Sequence, residues 1–149
     1  MTQDPETKNY MMVLNDICEK CKCVCYAIHF QQNFKNWTSG NNGIDKFIQD
    51  TQLSAHNFIH KVLEWIPYNR LRDINYVTEE EIGKVYRANW IDGCIIEWNR
   101  NNKNWTRKDQ NMFVILKSLG NSKIVNSDFI SKVQYRKFIF YLNFEILIL

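Results

Sequence analysis

Apolar side chains fall at Ile44, Phe47, Ile48, Ala55, Phe58, Ile59, Val62, Leu63 and Ile66. Their spacing fits one face of a helix, so this stretch predicts an amphipathic helix with a break near Thr51. Asn42 reads as its N-cap, Asp45 favours its positive end, and Pro67 stops it. Downstream the pattern changes. Tyr76-Val77, residues 84–90 and residues 112–117 read as strands. Between them lies a polar insert, residues 91–110, with Trp98 and Trp105. There residues 95–98 are strand-like and residues 99–104 turn-rich, which suggests a second hairpin. Residues 127–137 predict a short helix capped by Ser127, and the tail from Phe138 predicts a strand. At the other end Asp4-Pro5-Glu6 reads as a turn feeding the apolar run of residues 10–14. The fold class expected is α+β: a strand-like, cysteine-containing leader over residues 1–38, a helical segment over 39–70, and a sheet-bearing unit over 71–149.

Composition permits a packed core. Of 149 residues 45% are hydrophobic and 23% charged, which excludes wholesale disorder. The net charge is +3 and forms no basic stripe, so no nucleic-acid partner is expected. The first ten residues, MTQDPETKNY, are polar and do not read as a secretion signal. The last 12 residues, FIFYLNFEILIL, contain Asn143 and Glu145 and are too short to cross a bilayer. A cytoplasmic, reducing setting without membrane contact is therefore expected. There the triplets Asn36-Trp37-Thr38 and Asn104-Trp105-Thr106 carry no weight as glycosylation sites.

Residues 29–133 resemble a family. HFQQNFKNWTSGNNGIDKFIQ, then LEWIPYNRLRDINYV, then IGKVYRANW and VILK are similar to the N-terminal part of a fungal expansion of tyrosine-kinase-like protein kinases. The resemblance covers about two thirds of the chain. It implies a kinase-like small lobe, a twisted antiparallel sheet plus one helix, with the large lobe absent. It also implies a nucleotide site. Lys117 corresponds to the lysine that contacts phosphates, Gly83 and Val85 to the end of the glycine loop, and Ile115 to the residue against the adenine.

This sequence departs from the family pattern at several points. Thr78 and Glu80 stand where two glycines of the loop belong, and glycine is what lets backbone approach phosphate. Glu79-Glu80-Glu81 adds three carboxylates beside the expected phosphates. Lys132 stands where the helix glutamate belongs, so it would repel Lys117. No catalytic-loop or metal-binding aspartate motif follows. Arg72-Asp73 precedes the first strand and Asp128-Phe129 lies in the expected helix, so neither is one of them. Residues 2–14 are similar to a part of the family that normally follows the helix. The resemblance thus implies a pseudokinase fragment, a binding or regulatory module with a degraded ATP site. Its partner would be a protein, for instance a complete homologous kinase. The alternative enzyme reading is an incomplete copy of an active ATP-dependent protein kinase.

The cysteines point elsewhere. Cys18-x-x-Cys21, Cys25 and then His29 are soft donors at short spacing, which suits Zn²⁺. A zinc-dependent interaction module is therefore a further alternative, against plain free thiols. Cys23 gives no standard second knuckle, and Cys94 reads as packing. His56 and His60 read as a solvated helix face.

Overall fold

The computed structural model of the chain describes residues 17–56, 58–59, 62–81, 83–118 and 145–148. The turn and strand expected over residues 1–14, the helix over 127–137 and the start of the C-terminal strand lie outside them. Among the described residues two helices come first, α1 (Tyr26–Asn33) and α2 (Asn42–Leu53). A 3-10 turn, Phe34–Asn36, extends α1, and another, Tyr68–Arg70, leads into the sheet. Among the described residues six strands follow: β1 (Leu71–Glu80), β2 (Gly83–Trp90), β3 (Cys94–Asn99), β4 (Asn104–Lys108), β5 (Met112–Ser118) and β6 (Glu145–Ile148). The fold is α+β.

The start of α2 is held from both sides. Asn41, one residue before the expected cap, accepts from the Gly43 and Ile44 amides at 2.9 and 3.2 Å. Asp45 reaches back to accept from the Ser39 amide at 2.7 Å and from both hydroxyls, Thr38 and Ser39. Lys46 pairs with Asp50 one turn along. Burial of Ile44 and Ile48 follows the helical period.

The helix stops at Leu53, well before Pro67. The cause lies in its last polar residues. Thr51 Oγ1 accepts from the Leu63 amide at 3.1 Å, and Gln52, 3% exposed, donates to the Leu63 carbonyl at 2.8 Å. Ser54 donates to the Thr51 carbonyl at 2.6 Å. The chain therefore doubles back on the helix end, and Ala55 and Val62 still reach the core by that route.

The main sheet runs β1-β2-β5-β6. The first three strands are antiparallel, as expected, whereas β6 joins β5 in parallel, so the sheet is mixed. Alternation in β2 and β5 sets the core face: Ala88, Trp90, Val114 and Leu116 are buried there with Leu71 and Cys94. The separate β3–β4 hairpin carries Trp98 opposite Trp105. Those two rings bind the hairpin to α1: Trp105 stacks on Phe30 at 4.4 Å and Trp98 on His29 at 4.0 Å, ring centre to ring centre. The insert thus supplies the surface against which the leader helix packs. Arg107 locks the hairpin base, pairing with Glu64 at 2.9 Å and donating to the Gly93 carbonyl at 2.6 Å.

Candidate metal centre

Residues 17–25 form a tight knuckle. Ile17 bridges to Val24, the Cys18 amide donates to the Cys23 carbonyl at 2.9 Å, and the Lys22 amide donates to the Cys18 carbonyl at 2.8 Å. Lys22 takes φ 56 to close the turn. This places Cys18 and Cys21 together, and the chain then leaves the knuckle through Cys25, the N-cap of α1. The turn that follows α2 brings His56 against them. Its Nδ1 lies 3.6 Å from Cys18 Sγ.

The donor atoms of Cys18, Cys21, Cys25 and His56 all lie within 4.8 Å of one another, and the group could hold a metal ion. The donor set fits a tetrahedral thiophilic ion: zinc–sulfur bonds near 2.3 Å put tetrahedral sulfurs about 3.8 Å apart. Cys18 and Cys25 are buried, while Cys21 and His56 are half-buried. Four protein donors are enough to fill the coordination of a tetrahedral ion.

Electrostatics separate the thiols. The Cys18 thiol is brought down to about 6, chiefly by the Cys21 backbone amide; burial opposes the shift, and the Lys20 amide and the neighbouring Cys25 and Cys21 thiols add to it. The Cys25 thiol is pushed up to about 11 by burial first and by the adjacent Cys18; the Ile28 and Ala27 amides of the first helical turn act the other way. Cys18 thus favours the thiolate and Cys25 the thiol, and a cation would draw the proton off Cys25.

The structure brings together Cys18, Cys21 and Cys25 as the spacing suggests. The fourth position differs from expectation. His29 is buried in α1 and stacked on Trp98, and His56 stands beside the cysteines instead. Helical-face reasoning placed His56 on a polar stripe, but α2 has ended three residues earlier. Cys23 is exposed outside the group, and Cys94 is buried with its thiol pushed up to about 11, mainly by burial.

The residues expected at a nucleotide lie on the sheet. Gly83 opens β2 at φ 144, backbone that favours glycine. Val85 is buried and lies opposite Lys117, and Ile115 lies opposite Arg87 on the same face. Lys117 Nζ sits 2.9 Å from Glu80 Oε2, with the lysine side chain 12% exposed and the glutamate 45%. Among the described residues no helix is long and apolar enough to cross a membrane. Comparison with protein-family models, with curated proteins and with solved structures gives no match for this chain.

Proposed function

We propose that the chain is a non-catalytic interaction module whose leader is organised by Zn²⁺ held by Cys18, Cys21, Cys25 and His56. One observation carries this reading: four soft donors converge from a knuckle, a helix N-cap and a turn 38 residues from Cys18 in sequence. The ion would supply cross-linking and charge neutralisation, with no open coordination position for chemistry. An interaction role is supported by Tyr76, Val77 and Phe113, large apolar side chains that the sheet leaves exposed. Zinc content of the purified chain, together with the cobalt-substituted spectrum, tests the proposal. Equimolar metal with intense thiolate-to-cobalt bands supports it. A chain free of metal that folds equally well defeats it.

A second reading is the kinase-like lobe with a degraded ATP site. It is favoured by the antiparallel β1-β2-β5 order with Lys117 opposite Val85. In that reading Glu80 occupies the lysine where phosphate would bind, so the site has become a structural ion pair. Nucleotide binding to the chain, read as a change in melting temperature with millimolar ATP and Mg²⁺, is the deciding measurement.

A further inference from the structure

Beside the cysteine group lies an open cleft of about 240 Å³, lined by Cys25, Val24, Tyr26, His29, His56, Trp98 and Arg100. Two of the four donors, Cys25 and His56, belong to its wall. The cleft therefore reaches the edge of the donor group. All five cysteines are unpaired with one another, and the Sγ atoms of Cys18, Cys21 and Cys25 lie within 4.8 Å. Joining two of them would bring their sulfurs to an S–S bond length of about 2.05 Å.

We propose that this centre is a thiol-modification site for hydroperoxides, at which oxidation joins Cys18 to Cys25 and expels the metal. The inference rests on the zinc reading above. In the zinc-bound group both sulfurs are thiolates; the Cys25 sulfur attacks the O–O bond, a sulfenic acid forms, and the departing oxygen takes a proton from solvent and leaves as water, or as the alcohol from an alkyl hydroperoxide. The Cys18 sulfur then attacks the sulfenic sulfur, forming the S–S bond and breaking the S–O bond, and the hydroxide takes a second proton from solvent and leaves as water. Two thiolates lose two electrons in total, one hydroperoxide is reduced and two solvent protons are taken up. A disulfide is a poor ligand, so the ion has lost two of its four donors. Cys23 is exposed but outside the donor group, and the reaction does not need it.

The sequence makes the pairing readable. Lys20 and Lys22 separate the cysteines, so trypsin places Cys18, Cys21 and the Cys23/Cys25 pair on three different peptides. Metal content is measured first on the full chain. The zinc-loaded protein is then treated with hydrogen peroxide in the presence of a chromogenic chelator, digested and analysed by mass spectrometry. Expected is stoichiometric zinc release with residues 9–20 linked to residues 23–35, in wild type and equally in Cys23→Ser. Thiol reductant with zinc reverses it. Zinc retained under peroxide, or released with sulfinic acids or a link to the Cys21 peptide, overturns the proposal and leaves the zinc reading standing. A chain that takes up no zinc overturns both.

Discussion

His56 Nδ1 lies 3.6 Å from Cys18 Sγ, although 38 residues separate them. The contact joins the turn after α2 to the knuckle before α1, so a cation there would close a long loop. Such closure is stabilising because the unfolded chain lacks the site. Chelating the metal should therefore lower the melting temperature. At free zinc 100 times the Kd the stabilisation is about 2.7 kcal/mol, which for a chain of this size is roughly 5–10 °C. His56→Ala should melt like the chelated protein and show little further response to chelator. Calorimetry of both proteins with and without chelator checks this. A mutant that keeps the full chelator response would remove His56 from the site.

Asp45 gives a pH prediction. Burial works to raise its carboxyl, but hydrogen bonds from Ser39 and Thr38 outweigh it and hold the group below the usual carboxylate range. The folded value lies below the unfolded one. The stabilisation is thus fully present above the unfolded value near pH 4 and is lost as pH falls through the folded value. Asp45→Asn should destabilise by about 1 kcal/mol at neutral pH, with a flatter stability profile below about pH 4. Urea titrations across pH 2–7 check it. Equal acid sensitivity in mutant and wild type would count against the role of these bonds.

Gly93 and Gly40 make a matched pair. Both take positive φ, +71 and +83. A Cβ at Gly93 would lie 2.0 Å from the Lys108 carbonyl oxygen, while at Gly40 nothing lies within 4 Å. Gly40→Ala should thus cost only backbone strain, about 1 kcal/mol. Gly93→Ala adds a clash with rigid backbone at the base of the β3–β4 hairpin and should cost about 3 kcal/mol or more. Denaturant midpoints of the two variants decide whether the ordering holds.

Strands were legible in the sequence because alternation at residues 84–90 and 112–117 leaves one face for the core, and the register follows from it. The α2 end was not legible from apolar spacing, since Ala55, Phe58, Ile59 and Val62 keep helical spacing after the helix has gone. What ended it were Thr51 and Gln52, whose side chains bond a backbone 11–12 residues on. That long-range pairing has no local signature. His56 was hidden by the same error, because a residue past the helix end has no helical face. The cysteine triad carried its own signal in Cys-x-x-Cys. His29 had the nearer position in sequence, but two tryptophans of the hairpin claim its ring: Trp98 stacks on it, and Trp105 meets it edge-on at 6.1 Å.

Trp105 should be the costliest aromatic to lose. Its ring stacks on Phe30 at 4.4 Å, meets Trp98 edge-on at 5.0 Å and lies 6.0 Å from Tyr26. These contacts couple the β3–β4 hairpin to α1. The side chain is only half-buried, so Trp105→Ala should cost about 2–3 kcal/mol, below the range for fully buried aromatics. Trp37, which stacks on Trp65 at 5.7 Å and meets Phe34 edge-on at 6.5 Å at the far end of α1 from Cys25, serves as the comparison, with Trp37→Ala costing about 1 kcal/mol. Because Cys25 caps α1, loosening the helix should also weaken metal binding. Zinc affinity measured by competition should fall in Trp105→Ala and stay unchanged in Trp37→Ala. Equal zinc affinity in both would show that the knuckle holds its geometry without the hairpin.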